Sequence, residues 1–408
     1  MNIPKLRFPE FKEEWICKKL LEVGDIVTGS TPKTSKQEYY NGNYLFVSPK
    51  DIRDNRYVSK TETTLSEEGL NTGRIIEVNS VMFVCIGSTI GKVAQASKRC
   101  ITNQQINTII PFDTHDSDFV YSMLEYQSKR IKLLAATQAV PIINKSTFSK
   151  YTVLIPSLSE QTKIANFLYE IDKRIKLLAD KVSKLEEYKK GVMQKLFSQE
   201  VRFKDENGEE FPEWKKKRLK DIGNYYNGLS GKNAKDFIPT GSPFIQYKQV
   251  FDFSYIPLKG YNYVNIAKNE NQNVVQYGDV FFTVSSETPH EVGMSSVLLF
   301  KPNHPLYLNS FCFGFRPNSL DKLFPKFAQY LFRSTEVRKL ITQLAQGSTR
   351  YNISKIEFVK LKISLPSLPE QTKIANFLSS IDTKIQLATK ELDKTEEYKR
   401  GLLQQLFI

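Results

Sequence analysis

Apolar positions along the chain follow two different periods, and the switches between them organise the sequence. Apolar side chains fall at Ile164, Leu168, Ile171, Ile175, Leu178, Val182 and Leu185, in alternating steps of four and three, and Val192 and Leu196 resume the phase. A second run has the same rhythm at Ile374, Leu378, Ile381, Ile385, Ala388 and Leu392, then Leu402 and Leu406. Both are heptad seams and predict long helices. Elsewhere the pattern shortens to alternating or wholly apolar runs such as residues 75–84 and 280–284, which predict strands. One amphipathic helix is expected in each of these regions, over residues 119–135 and 325–345.

The two seams belong to a repeat. Residues 156–197 align without gaps to residues 366–407, with 25 identities in 42 positions. Glu160-Gln161-Thr162-Lys163-Ile164-Ala165-Asn166-Phe167-Leu168 returns letter for letter from Glu370 to Leu378, and Glu186-Glu187-Tyr188-Lys189 returns as Glu396-Glu397-Tyr398-Lys399. A weaker echo opens each half: Arg7-Phe8, Trp15, Leu20, Gly24 and Gly29 against Arg202-Phe203, Trp214, Leu219, Gly223 and Gly228. Between these anchors the halves diverge. The chain therefore reads as variable arm (1–155), constant helix (156–199), variable arm (200–365), constant helix (366–408).

Ser157 with Glu160, and Ser367 with Glu370, have capping-box spacing, and Pro156 and Pro366 set the chain up for a helix start. A bare heptad equally suits a core helix or a homodimeric coiled coil. Two matching helices in one chain favour pairing within it. About 37 helical residues make a rod of roughly 55 Å. Relating the halves by a pseudo-twofold axis makes the pairing antiparallel. The expected fold class is α/β (mixed α+β): two arms separated by two long helices that pair as an antiparallel coiled coil.

Composition narrows the function. Apolar residues at 40% and charged residues at 25% suit a folded chain, and a net charge of +14 favours a polyanionic partner such as nucleic acid. No apolar run is long enough to span a bilayer and the N-terminus lacks a signal-peptide block, so a cytoplasmic protein without membrane contact is expected. The four Cys and three His show no ligand spacing, so no metal is assigned. Glu10-Phe11-Lys12, Glu187-Tyr188-Lys189 and Glu397-Tyr398-Lys399 satisfy a nuclease-like E-x-K only at the level chance allows. Gly87-Ser88-Thr89-Ile90-Gly91-Lys92-Val93 has three residues between its glycines where a P-loop needs four, and Val93 where Ser or Thr must hold magnesium. Neither a methyltransferase cofactor turn nor a base-accepting N-P-P-Y loop is present. No catalytic residue is expected.

The leading R-F-P-x-F with Trp15, the G-x-T-P at Gly29-Ser30-Thr31-Pro32, Gly278-Asp279-Val280, and above all the doubled P-x-L-x-E-Q-x-x-I-A resemble the specificity subunits of Type I restriction-modification systems. The resemblance spans the chain. It implies two target-recognition domains that each read half of a split double-stranded DNA site and direct adenine methylation and restriction. It also implies two methyltransferase subunits and two restriction/translocase subunits as partners. These would carry S-adenosylmethionine, ATP and Mg, with no cofactor bound by this chain. The alternatives are a recognition module of a fused restriction and methylation enzyme, and a coiled-coil structural adaptor.

Base reading needs side chains that form paired hydrogen bonds with base edges. In the first arm the candidates are Lys33, Lys36, Gln104 and Gln105; Ser88, Thr89 and Lys92 in the glycine loop, which otherwise is only a tight turn; and Gln138, Asn144 and Lys145. In the second arm they are Lys232, Lys235, Gln246 and Lys248, with Ser348, Thr349, Arg350 and Asn352 in the loop matching residues 137–145. Lys215-Lys216-Lys217-Arg218 reads as a solvated turn, with phosphate contact as the alternative.

A heptad is about 10 Å of helix, close to three base pairs. Deleting residues 181–187 together with 391–397 keeps the seam in phase and is expected either to shorten the unread gap between half-sites or to abolish activity by rotating the arms about the DNA. Methylome sequencing checks it, and an unchanged target and gap would show that the helices are not the ruler.

Overall fold

A computed structural model describes residues 3–53, 55–135 and 141–408. The chain forms two compact units: Met1–Asp180 with Thr389–Ile408, and Lys181–Ala388. Each consists of one arm, the first part of one long helix and the last part of the other. The helices run over Leu158–Phe197 and Leu368–Leu406.

In the first arm, strand Val81–Val84 is apolar throughout and buried on both faces, as a central strand must be. It lies in a five-stranded sheet ordered Gly24–Thr28, Ile106–Pro111, Val81–Val84, Val93–Ala96, Tyr57–Val58. The strand expected over residues 75–84 is shorter than its pattern. Asn79 adopts φ 67°, a left-handed turn, so only a single bridge from Ile76 to Cys100 precedes Val81. Helix Ser117–Lys132 covers the sheet, with the Asp116 carboxylate accepting from the amides of Asp118 and Phe119.

The second arm repeats the plan with a four-stranded sheet ordered Gly223–Asn227, Cys312–Pro317, Val280–Thr283, Ser295–Val297. The single helix expected over residues 325–345 is two: Pro325–Leu331 and Thr335–Thr342. Ser334 breaks it, because its hydroxyl caps the second helix by accepting from the Val337 amide at 3.4 Å. Each arm is closed by a two-stranded ribbon, Ile16–Lys19 on Thr152–Ile155 and Lys215–Arg218 on Lys362–Leu365. The run of Lys and Arg is thus a strand rather than a turn.

Ile164, Leu168, Ile171, Ile175, Leu178, Val182 and Leu185, and Ile374, Leu378, Ile381, Ile385 and Leu392, are all buried or half-buried. Within each unit the helices run antiparallel. In the first, Asp172 meets Lys399 at 2.8 Å and Arg174 meets Glu391 at 2.8 Å. In the second, Lys189 pairs with Asp382, whose carboxylate also accepts from the Tyr330 hydroxyl at 2.7 Å.

The expected capping boxes are replaced by a different use of the same residues. Glu160 is almost wholly buried, and its carboxylate accepts from Arg7 Nε and Nη2, both at 2.7 Å, and from Trp15 Nε1 at 3.3 Å. Glu370 accepts from Arg202 Nε at 3.1 Å and Nη2 at 2.8 Å. Gln161 completes the joint. Its Oε1 accepts from the Asp116 amide at 3.0 Å and its Nε2 donates to the Pro156 carbonyl at 2.9 Å. Gln371 does the same between the Phe324 amide and the Pro366 carbonyl. The carboxylate raises the Arg7 pKa above its ordinary value through this hydrogen bond, so the guanidinium stays charged.

A buried charge that loses its partner is costly, so Glu160→Ala should destabilise the first unit by about 3 kcal/mol. In a Trp214→Phe background Trp15 is the sole indole, and denaturant unfolding followed by its fluorescence reads this loss. An unchanged midpoint would remove Glu160 from the joint.

Candidate nucleic-acid interface

Strand register decides which loops share an end of each sheet. In the first arm Thr28 is opposite Asn107 and Val84 opposite Ile106. The chain therefore leaves strand Gly24–Thr28, enters strand Ile106–Pro111 and leaves strand Val81–Val84 at one end of the sheet. Backbone bonds tie these loops together: Gly29 N–H to the Ile106 carbonyl at 3.1 Å, Ser30 N–H to Thr102 at 2.8 Å, and Cys85 N–H to Gln105 at 2.8 Å. The segment from Pro141 joins through Gly87 N–H to the Pro141 carbonyl at 3.1 Å and Ile143 N–H to Cys85 at 2.8 Å. Gly87 and Gly91 both stand at φ +94°, a conformation side chains resist, so the glycine loop is a tight turn whose tip is exposed at Ser88.

Candidates scattered over 110 residues of sequence thus meet at one end of the sheet. Gln104 is exposed and accepts from the Thr31 hydroxyl at 2.7 Å, and Gln105 accepts from Asn103 Nδ2 at 3.0 Å. Ser88, Lys33 and Lys145 are exposed, and Thr89 half-buried. Lys36 is exposed as well and lies over the Tyr39 ring. Two candidates are held by their own arm instead. Lys92 Nζ donates to the Ile52 carbonyl at 2.9 Å, and the Asn144 carbonyl oxygen caps helix Lys145–Ser149 by accepting from the Thr147 amide. Gln138 lies outside the described residues. Arg74 was not among the candidates: it is exposed at this end and donates to the Thr28 carbonyl at 2.6 Å, from a stretch with no motif to signal it.

The second arm builds the same end from different parts. Asn227 is opposite Phe313, and Thr283 opposite Cys312. Strand Tyr351–Ile353 pairs with Ser285–Ser286 and with Ala345–Gln346, so residues 347–350 form the tip of a hairpin fixed to this end. Gly347 takes φ +124°, and an added Cβ would meet the Arg350 carbonyl oxygen at 2.2 Å, so the tip requires glycine there. Ser348, Thr349, Arg350 and Asn352 are exposed, and Arg350 forms no ion pair among the described residues. Its five-donor fork is free for a guanine or a phosphate.

Tyr247 anchors the neighbouring segment by donating to the Ser285 carbonyl at 2.6 Å, which leaves Lys248 exposed. Gln246 is engaged with the Gly260 carbonyl at 2.8 Å. Lys232 is a structural cation, its side chain only 5% exposed and paired with Glu270, whereas Lys235 is exposed. Lys355, also absent from the candidates, donates to Asn227 Oδ1 at 2.6 Å, and burial lowers its pKa.

Burial pushes the Cys85 thiol up to about 12, and it lies 3.2 Å from the Asn107 amide nitrogen as a neutral thiol. No group of His, Cys, Asp and Glu among the described residues is arranged to hold a metal ion, and no described helix is long and apolar enough to cross a membrane.

Comparison with known proteins agrees with this two-armed plan. The Type I restriction modification DNA specificity domain matches residues 12–187 and again 212–397. The Type I restriction enzyme MjaVIII specificity subunit of Methanocaldococcus jannaschii is 25% identical, over 98% of this chain and 92% of its own length. The HindI specificity subunit of Haemophilus influenzae is 36% identical, over 35% of this chain and 32% of its own. Among solved structures, the Type I restriction-modification S subunit from M. genitalium superposes with a TM-score of 0.59 at 17% identity, covering 100% of this chain and 99% of that one. A chain from a structure of Type I system complex assembly and conformational transition gives 0.60 at 17% identity, covering 96% and 97%. With two family domains joined by the paired long helices, the chain belongs to the family of Type I restriction-modification specificity subunits.

Proposed function

We propose that the chain reads a bipartite double-stranded DNA site, one half-site per arm, and directs adenine methylation and restriction carried out by other subunits. The observation that carries this reading is that each arm gathers hydrogen-bonding loops at one end of its sheet and holds them largely by backbone bonds, which leaves exposed side chains such as Ser88, Lys145, Lys248 and Arg350 free to face bases. The residues are readers rather than reagents: amides, hydroxyls and guanidinium, without an activated nucleophile or a paired acid and base. The partners are two methyltransferase subunits, which supply S-adenosylmethionine chemistry, and two restriction/translocase subunits, which supply ATP- and Mg-dependent cleavage. The complex works in the cytoplasm.

Arg350 is the strongest single base-reading candidate, since its fork is exposed at the tip of a hairpin that strand pairing with Ser285–Ser286 fixes to this end of the sheet. Arg350→Ala should weaken binding to the specific site about 5- to 150-fold, the range of one bidentate base contact, and relax one position of one half-site. Competition binding against single-base variants of the target reads this. A uniform loss across all sequences would make Arg350 a phosphate contact instead.

Replacing residues 5–152 with the matching arm of a relative should change one half-site and leave the other intact. The same preparations mixed with S-adenosylmethionine and DNA but without methyltransferase subunits should transfer no methyl group. Methylome sequencing decides the first, and a change in both half-sites at once would refute independent arms. Robust methylation by the isolated chain would refute the reader role.

A further inference from the structure

Strand Lys215–Arg218 of the second unit consists of four cations, all exposed. It pairs antiparallel with Lys362–Leu365, and Arg218 stands directly opposite Lys362, also exposed. Like charges in direct cross-strand opposition destabilise a ribbon. Among the described residues none of these five cations forms an ion pair, although nearby Arg202 and Lys360 each find a carboxylate.

The internal repeat is a control for what this ribbon needs in order to fold. Its counterpart in the first unit, Ile16–Lys19 on Thr152–Ile155, has the same register with Ile16 and Cys17 in the first two places, and Lys18 there is engaged with His115 at 3.2 Å. Four cations are therefore no requirement of the ribbon. Nor do they belong to the loop cluster described above: the ribbon leads through helix Leu219–Ile222 into the Gly223 end of strand Gly223–Asn227, whereas the loops leave from the Asn227 end.

We infer that this ribbon binds the phosphodiester backbone of double-stranded DNA without regard to sequence, as a contact of the second arm distinct from its base-reading end. The inference rests on the DNA-reading function proposed above. Successive strand side chains point to opposite faces, so Lys215 and Lys217 share one side and Lys216 and Arg218 the other; two same-face cations stand about 7 Å apart, close to the axial spacing of every second phosphate along one DNA strand. Lysine suits that role, being a flexible point charge that carries no base discrimination. A protein partner fits less well, because interface cores are depleted in Lys and built on apolar anchors, and this strand exposes none.

The test uses the full chain in complex with its methyltransferase subunits and compares it with a variant carrying Lys215→Gln, Lys216→Gln, Lys217→Gln and Arg218→Gln. Affinity is measured over a salt series on a duplex that holds the methylome-defined target within long flanks. The slope of log affinity against log salt should become shallower by about 0.9 per lost phosphate contact, about 1.8 for the two cations of one face, with the methylated sequence unchanged. A second variant, with the three lysines replaced by Arg, should retain the original slope, which separates charge from folding. An unchanged slope in the Gln variant overturns the inference, and if that variant instead loses affinity for a partner subunit, the ribbon serves an acidic protein surface. A complex that binds no DNA even without substitutions would overturn the DNA-reading function itself, a distinct result.

Discussion

A buried carboxylate at the start of each long helix is the constraint on which the rest of each unit depends. Glu160 and Glu370 sit where water cannot solvate them, and a carboxylate there is tolerated only if its oxygens are fully engaged. Each is met by an arginine more than 150 residues away, Arg7 for Glu160 and Arg202 for Glu370. The neighbouring glutamine bonds the last turn of chain before the helix to the backbone at the head of the arm's own helix. Together the two side chains fix the arm's first segment, its helix and the long helix at one point. That explains why Glu-Gln recurs unchanged in both copies while the arms around them diverge.

A second pair of interactions fixes the direction in which the long helices lie against each other. Asp172 and Lys189 of the first helix correspond to Asp382 and Lys399 of the second. Antiparallel pairing brings Asp172 to Lys399 in one unit and Lys189 to Asp382 in the other. Parallel, in-register pairing would set aspartate against aspartate and lysine against lysine. Lys399 is largely buried; burial alone would lower its pKa, but Glu125 and Asp172 together outweigh that and raise it, so the ammonium stays charged. A fixed charge in a poorly solvated place makes the wrong pairing costly, which is the best-attested use of buried ion pairs.

How far the structure was legible follows from which forces act locally. The heptad seams, the doubled helix start and the wholly apolar strands could be read because a helix or a central strand imposes its period on the residues themselves. The break at Ser334 and the short strand at Val81 could not, because one side chain cap and one left-handed Asn79 override the surrounding pattern. The capping-box reading of Ser157 and Glu160 failed for a related reason. Its spacing is local, but the partner that occupies Glu160 comes from Arg7, far along the chain. The candidate interface was legible only by residue type: Lys92, Asn144, Gln246 and Lys232 have the right chemistry yet are engaged within their own arms, while Arg74 and Lys355 are placed by a sheet register that no local motif encodes.

The same distinction explains how one scaffold can tolerate such different arms. At the loop ends of both sheets the chain is held mainly through main-chain groups: Gly29, Ser30, Cys85 and Gly87 in the first arm, and Gly228, Leu229, Val284 and Ile353 in the second. Backbone bonds place a loop without specifying its side chains, so apart from glycines such as Gly87 and Gly347 the residues at these tips can change with little cost to the fold. The helix start is the reverse case, since its carboxylate, guanidinium and amide have no isosteric substitutes in a buried, fully bonded site. Variation is therefore channelled toward the exposed loop tips and away from the joints that hold them. That division of labour suits the reading role proposed above, and it is written into the hydrogen-bond pattern of each unit.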